Sequence, residues 1–481
     1  MTLAARSVGI TVLPEFFQNE GVEPVLDNIM RRAGATAIAT SPYVMRPAAE
    51  GEGSREPPID AGAGSVRILD RPLWGKRDLW VRTSPSFTPD KALYAGLRYQ
   101  PAEADEHTAR EGGIVAEALR SAKARGLQTH LQVQAAIPPG YRVQFGGPVD
   151  ADRPRLPDGS SPAVRVDNNG SLASPHILAY TQALIRDVAR AYPDIDVLRL
   201  DWPEYPPYSL DSLFFDFSPD ARAAMAAMGH DQDRLAAAAA RLRTRVTTGL
   251  TAQDLAAVSA GSQADDYLRW LDCDPAVRDW LDAKAGIVTA FVSACVGTLR
   301  DAAGGRITLM PQSFPPPWTR LSGFDTAAVA KLGVPAIGVK LYTMHWPMMA
   351  RAYADAILAA NPALHPGDEL GPAIMRAAGL DCEPARWQPL AAVRYPEPDE
   401  AHPVSDQVQR AKIRMAQAQA GAVPVVAFAH SYGPLADFER RARIAFEAAQ
   451  GRLFVNRYGY MSDAKLDALG RVTAFTGASA G

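Results

Sequence analysis

Residues 197–204, Val-Leu-Arg-Leu-Asp-Trp-Pro-Glu, begin as a buried strand that ends at Asp201. The strand cannot continue as a central one, because Pro203 has no amide hydrogen to donate. Side chains two residues apart in a strand point to the same face, so Arg199 and Asp201 are expected to share one. A guanidinium beside a carboxylate keeps the carboxylate charged. The stretch therefore predicts a charged pair at a strand end, with Glu204 just beyond it.

This charged pair has a purely structural alternative. Arg199 and Asp201 could form an ion pair inside a sheet, and Glu204 could be a solvated loop acid. For an isolated aspartate at a strand end, the structural interpretation comes first. The aromatic rings that follow, Trp202 among them, and the polar residues at the other predicted strand ends favour a binding site instead.

The composition is that of an ordinary globular protein. The chain has 481 residues, of which 47% are hydrophobic and 21% charged, with a formal net charge of −3. This balance gives no electrostatic case for binding nucleic acid or an anionic membrane. No apolar run is expected to span a bilayer, which takes about 20 residues. Residues 1–12 lack the pattern of a secretory signal, so a cytoplasmic protein is expected, although a signal removed before this numbering would leave no trace.

The cysteines and histidines do not indicate a metal site or a cofactor. Cys273, Cys295 and Cys382 are far apart and have no Cys-x-x-Cys spacing, so buried, reduced thiols are expected. The chain has only eight histidines, and none is paired with a cysteine at a zinc-binding spacing. The prediction is therefore no metal and no cofactor.

Strand-like and helix-like patterns alternate along the whole chain. Such alternation is typical of parallel strands joined by helices, and eight units predict a closed (β/α)8 TIM barrel, an α/β fold. An open doubly wound sheet is the alternative, but no Gly-x-Gly-x-x-Gly follows the first strand. The eight predicted strands are 8–17, 35–44, 127–137, 197–201, 306–310, 335–342, 422–430 and 452–458.

Three long insertions interrupt this alternation. They cover about residues 45–110, 139–173 and 215–300, and the last one is rich in alanine and predicted to be helical. The remaining segments fit one barrel, so a single domain over residues 1–481 is predicted.

Polar and aromatic residues collect at the predicted carboxyl ends of the strands. In a parallel barrel these ends form one mouth, where active sites lie. The predicted mouth residues are Glu15, Tyr43, Gln134, Arg199, Asp201, Trp202, Glu204, Gln312, Lys340, Tyr342, His345, His430, Asn456 and Tyr458.

Part of the chain resembles the glycoside-hydrolase-like (β/α)8 barrels. The residues that carry the resemblance are Asp167-Asn168-Asn169-Gly170, the strand Asp-Val-Leu-Arg-Leu-Asp ending at Asp201, and the Asp-x-x-Glu spacing to Glu204. Phe214 to Asp231 departs from the pattern, because the cysteines often found in that segment are absent. Beyond about residues 165–235 the resemblance is architectural only, and the seventh strand ends in His430 where many such families have a glutamate.

The resemblance implies a glycosidase that acts on a carbohydrate substrate. Such chemistry needs one carboxylate as nucleophile or base and one group that protonates the leaving oxygen. Asp201 is predicted as the former. Glu204 is the first candidate for the proton donor and Glu15 the second; the alternatives are that Glu204 binds sugar hydroxyls and that Glu15 pairs with Arg457 or Lys340. The other mouth residues are predicted to bind substrate.

Two other functions remain open from the sequence. Lys340, next to Tyr342, could form a Schiff base in a sugar aldolase if it were deprotonated. Pairing with Asp201 or Glu204 would instead keep it charged, and this is the favoured interpretation. A saccharide-binding barrel without catalysis would keep the aromatic residues but would not need the acids. The sequence does not determine the sugar, the linkage or the oligomeric state.

Overall fold

The computed structural model describes residues 6–58, 67–142, 145–162, 168–260, 274–365, 367, 369–380 and 389–474. Cys273, Cys382 and Asp167 lie outside these residues. Cys295 is a free cysteine buried in a helix, and burial raises the pKa of its thiol. This agrees with the thiol predicted at that position.

The centre of the molecule is a closed barrel of eight parallel strands, as the sequence predicts. Around the barrel the order is β1-β11-β10-β9-β8-β7-β6-β2, and β2 closes against β1. The barrel strands are β1 (Ser7–Thr11), β2 (Ala37–Thr40), β6 (Gln128–Gln134), β7 (Val197–Asp201), β8 (Thr308–Ser313), β9 (Ile337–Leu341), β10 (Val425–His430) and β11 (Arg452–Asn456). Three further strands, β3 (Tyr43–Pro47), β4 (Ser54–Glu56) and β5 (Leu79–Pro85), form a separate antiparallel sheet.

Helices connect and surround the barrel strands. Ser174 begins the helix before β7, because its hydroxyl accepts hydrogen bonds from two backbone N–H groups of the first turn. The helices are α1 (Pro14–Glu20), α2 (Val22–Asp27, continued by a π-helical turn), α3 (Glu106–Glu111), α4 (Gly113–Ala124), α5 (Pro175–Ala191), α6 (Pro219–Ala227), α7 (Gln232–Val246), α8 (Ala252–Ala260), α9 (Pro275–Ala303), α10 (Trp318–Ser322), α11 (Thr326–Ala330), α12 (His345–Ala360), α13 (Leu370–Ala377), α14 (Asp406–Ala420), α15 (Leu435–Ala448) and α16 (Asp463–Ala474).

The first two predicted strands were too long. The first ends at Thr11, and Pro14 then occupies the first turn of α1, where its missing N–H costs nothing. Glu15 therefore lies on a helix and not at a strand end. The second predicted strand is split, because Tyr43 belongs to β3 of the antiparallel sheet. The insertion after it, predicted at about residues 45–110, contains most of this sheet.

Arg199 occupies the interior of the barrel. Its guanidinium carbon lies 3.6 Å from the centre of the Phe454 ring, and its Nε and Nη1 donate to His130 and Thr11 at 3.2 Å each. Burial lowers the pKa of Arg199 to about 9. Gly9 makes room for this packing, because a Cβ there would lie 2.0 Å from atoms of the Phe454 ring. The predicted Arg199–Asp201 ion pair is wrong, since Arg199 is held by neutral partners deeper in the barrel.

One helix of the third insertion corrects the expectation about apolar runs. By length and composition α9 could cross a bilayer, with a mean hydropathy of 1.3 over its most apolar window, half of which is buried inside the protein. It packs against α5, α7 and β8. An interior helix is apolar for the same reason as a membrane helix, namely that it leaves water.

Candidate active site

A cavity of about 320 Å³ lies at the mouth of the barrel. Its wall combines strand ends with the loops that follow them, as is usual for active sites in this fold. Among the described residues that line the cavity, Asp201 is the only carboxylate. Residues that the sequence analysis did not predict as site residues also line it, among them Thr11, Gln132, Arg142, Tyr208 and Arg457.

Asp201 is held by side chains from three barrel strands. Its Oδ2 accepts hydrogen bonds from the amides of Gln132 and Gln134 on β6, at 3.3 and 3.4 Å. Its Oδ1 lies 2.6 Å from the ammonium nitrogen of Lys340 on β9. Gln312 on β8 does not line the cavity but donates to Gln132 at 2.9 Å, which fixes the orientation of that amide. The carboxylate therefore has a defined position and keeps 13% of its side chain exposed.

Lys340 pairs with Asp201, as the favoured interpretation of the sequence expected. Its side chain is only 2% exposed. The ammonium nitrogen also lies 5.3 Å from the ring centres of Trp202 and Phe314. These rings leave the ammonium poorly hydrated, so the carboxylate is its main source of stabilisation. Trp202 has a φ of 54°, which is rare for a residue with a side chain and is the kind of strain found at functional sites.

The two histidines in the cavity have different hydrogen-bonding environments. The backbone N–H of Tyr432 donates to Nδ1 of His430 at 3.1 Å, so that nitrogen is an acceptor and the ring hydrogen is on Nε2. Nδ1 of His345 lies 3.3 Å from the hydroxyl of Tyr208, which can act as donor or acceptor. Tyr208 can therefore donate to this nitrogen of His345 or accept from it, whereas the bond at His430 requires Nδ1 to be the acceptor.

A second charged cluster lies beside the cavity, and its two arginines come from loops. Arg142 forms an ion pair with Glu56 and lies 3.9 Å from Glu15, while Arg457 lies 3.5 Å from Glu56. Both acids are buried, and only the arginines and Tyr43 line the cavity. Burial and the neighbouring Glu56 raise the pKa of Glu15 to about 7, although Arg142 opposes this. The cation nearest to Glu15 is thus Arg142, and not Arg457 or Lys340.

Glu204 is fully buried and does not line the cavity. Its carboxylate accepts hydrogen bonds from the backbone N–H of Phe314 at 2.8 Å and from the hydroxyl of Ser322 at 2.6 Å. Burial raises the pKa of Glu204 to about 7, and the positive charge of Lys340 only partly offsets this. The sequence placed Glu204 near the mouth, but the turn after β7 directs its side chain into the wall.

The predicted site residues thus divide into two groups. Tyr458 is among those outside the cavity, because its hydroxyl donates to Glu20 at 2.9 Å on the far side of the loop after β11. The predicted residues that line the cavity are Tyr43, Gln134, Asp201, Trp202, Lys340, Tyr342, His345, His430 and Asn456, and those that do not are Glu15, Arg199, Glu204, Gln312 and Tyr458.

The missed residues differ in the signal that the sequence offers. Thr11 ends β1 and Arg457 comes just after β11, so both would have been found if the ends of the predicted strands had been correct. Arg142 lies within a long loop, and nothing in the local sequence indicates that it reaches the cavity. Within the described part of the chain, no three His, Cys, Asp or Glu side chains are grouped to hold a metal ion.

Solved structures of glycoside hydrolases resemble this chain. A β-galactosidase from Marinomonas ef1 is 12% identical over 97% of this chain, with a TM-score of 0.49. This chain spans 59% of the length of that protein. The catalytic domain of a Paenibacillus polymyxa β-amylase is 10% identical over 96% of this chain and 94% of its own, with a TM-score of 0.47.

A third solved structure is the PgaB (BpsB) glycoside hydrolase domain of Bordetella bronchiseptica. It is 13% identical over 90% of this chain and 95% of its own, with a TM-score of 0.42. Likeness at this level concerns the barrel architecture and does not identify a substrate. No protein-family model and no curated protein sequence matches the chain.

Proposed function

We propose that this protein is a glycoside hydrolase and that Asp201 is its nucleophile or general base. The observation that carries the proposal is the carboxylate itself. It is oriented by two glutamine amides and one ammonium group at the mouth of the barrel, and it borders a polar cavity large enough for a sugar ring. An acceptor held in this way is suited to attack an anomeric carbon or to activate a water molecule.

The proton for the leaving oxygen comes, in this proposal, from His345. Glu204 and Glu15 have pKa values near 7, which suits an acid catalyst, but neither lines the cavity. His345 does line it, and its bond with Tyr208 is compatible with both protonation states. His430 keeps the substrate-binding role predicted from the sequence, and in this proposal it donates its Nε2 hydrogen to a sugar oxygen.

In the reaction, the glycosidic bond breaks and its oxygen leaves with the proton from His345. If Asp201 is the base, it takes a proton from the water molecule whose oxygen bonds to the anomeric carbon. If Asp201 is the nucleophile, it first forms a glycosyl ester, and a water molecule that gives its proton back to His345 then breaks this ester, releases the sugar and restores the carboxylate. Gln132, Gln134 and Lys340 keep the carboxylate in place before the reaction, so little reorganisation is needed during it.

The experiment is a screen of aryl glycosides and oligosaccharides for released sugar, with Asp201→Asn as the inactive control. Released sugar that depends on Asp201 supports the proposal. Binding of a saccharide with no turnover on any substrate would instead support the saccharide-binding barrel.

The role of His345 is tested by varying the leaving group. His345→Gln is expected to lose about 10²–10⁴-fold in kcat/KM on substrates with a poor leaving group, the usual range for a proton donor. Substrates with a good leaving group need little protonation, so the loss on them should be much smaller. His430→Gln is the matched variant, and its loss should not depend on the leaving group.

A further inference from the structure

The described lining of the cavity carries more positive than negative charge. Its cations are Arg67, Arg142, Lys340 and Arg457, and its only carboxylate is Asp201. Lys340 is matched by Asp201. Of the other cations, Arg142 and Arg457 lie together, because both contact Glu56.

Two of these arginines, Arg142 and Arg457, share one carboxylate. Arg142 and Arg457 both pair with Glu56, which lies behind them. Glu15 is the next acid, but its Oε1 lies 3.9 Å from Arg142 and its raised pKa of about 7 leaves it only partly charged at neutral pH. Since a lone carboxylate cannot neutralise two guanidinium groups, this side of the cavity favours an additional anion.

The surroundings of the pair also suit an anionic group. Arg142 is 6% and Arg457 18% exposed, so both are largely removed from water but still reach the cavity wall. Tyr43 lines the same wall, and its buried hydroxyl has no hydrogen-bond partner among the described residues. Buried polar groups are nearly always satisfied, and an acceptor on a bound molecule would satisfy this hydroxyl.

We propose that the saccharide bound in this cavity carries a negatively charged group, a carboxylate or a sulfate ester, that lies against Arg142 and Arg457. The inference rests on the proposed function, since it takes the occupant to be a saccharide. A guanidinium group presents parallel N–H donors that match two oxygens of a carboxylate or sulfate, which a neutral hydroxymethyl group cannot use. Asp201, which lines the same cavity, would repel such a group and so help to set the orientation of the sugar.

The test compares sugars that differ only in this charge. Calorimetric titration would use D-glucuronate and D-galacturonate against D-glucose and D-galactose, with glucose 6-sulfate as the arm that separates a sulfate ester from a carboxylate. The preferred charged sugar is expected to bind at least ~10-fold more tightly than its neutral counterpart, and added salt should weaken only the charged one. Equal affinity for charged and neutral sugars in both arms would overturn the inference.

Variants of Arg457 test whether this residue is responsible for the preference for charged sugars. Arg457→Gln should lower the ratio of charged to neutral affinity by about tenfold. Arg457→Lys, which keeps the charge but loses the planar fork, should lower it less. The matched control is Arg71→Gln, because Arg71 is also a partly buried, ion-paired arginine but does not line the cavity. A ratio that falls equally in the Arg71 variant would count against the site.

The two proposals fail in different ways. Selective binding of a charged sugar by the wild type and by Asp201→Asn, without any release of sugar from charged or neutral glycosides, would remove the hydrolase and leave this inference intact. Hydrolysis of neutral glycosides, with no preference for the charged ones in binding or turnover, would support the hydrolase and overturn this inference.

Discussion

The two charged clusters at the mouth of the barrel are built differently. In the first, Asp201, Lys340 and their glutamines project from barrel strands, and the carboxylate itself faces the cavity. In the second, Glu15 and Glu56 come from a helix and a short strand outside the barrel, and arginines separate them from the cavity. The same residue types therefore give a reactive group in the first cluster, where the carboxylate faces the cavity, and a charged wall in the second, where the arginines face it.

The largest expected effect on turnover comes from a change in the first cluster, which we call the strand-borne cluster. Asp201→Asn keeps the shape of the side chain but removes the charge, so the protein should fold and kcat should fall by about 10⁴-fold or more. The measurement is turnover on the best substrate of the screen, with circular dichroism to check the fold. Asp196→Asn is the matched control on the same chain segment, because Asp196 bonds to Thr129 and Lys123 before β7 begins. Near-normal turnover of a folded Asp201→Asn protein would make Asp201 a structural ion-pair partner.

Lys340 comes next, because it is the cation of the same cluster. If it acts through its charge, Lys340→Met should lose about 10²–10³-fold in kcat and Lys340→Arg clearly less. Borohydride reduction in the presence of a sugar aldehyde should leave no adduct in the mass spectrum, since a paired ammonium group is not nucleophilic. An adduct on Lys340, with both variants equally inactive, would support the aldolase.

The second cluster, whose arginines come from loops, is called the loop-borne cluster. Loss of one of its arginines should lower the stability of the fold more than it lowers the catalytic rate. Arg142→Met leaves Glu15 and Glu56 buried with only Arg457 nearby, so the free energy of unfolding should fall by about 3–5 kcal/mol. Denaturant titration at neutral pH measures this. The double variant Arg142→Met/Glu56→Gln should recover part of the loss, because it removes the charge that was left unpaired. No recovery would mean that packing, and not charge, explains the effect.

Glu204 gives the smallest effect, and the size of that effect on stability depends on pH. Its folded-state pKa is raised from 4.5 to about 7, so its protonated form contributes stability that is present below pH 4.5 and lost as the pH rises through 7. Glu204→Gln imitates the protonated form. The variant should match the wild type near pH 4 and be more stable by roughly 2–3 kcal/mol near pH 8.

Denaturant titration across this pH range checks the prediction. Glu15, whose pKa is also about 7, should leave a similar pH dependence in the variant. A variant that is less stable than the wild type at both ends of the range would show that the charged form of Glu204 is needed, for example as a partner of Lys340.

Much of the strand-borne cluster could be predicted from the sequence. Alternation along β6 places Gln132 and Gln134 on one face, and parallel pairing sets Gln134, Asp201 and Gln312 side by side. The loop-borne cluster could not, because Arg142 and Arg457 are brought to Glu56 over 86 and 401 residues of chain by loops with no repeating pattern.

The closed barrel, its eight strands, the position of Asp201 at a strand end and its neighbours on the adjacent strands are all encoded in local patterns. These features follow from periodicity and pairing, which are local or repeat around the barrel. The folded molecule adds that Arg199 fills the barrel interior, that Lys340 reaches Asp201, and that Glu204 and Glu15 lie behind the wall. Each of these depends on how side chains compete for burial and for a charged partner, and that competition is settled in three dimensions.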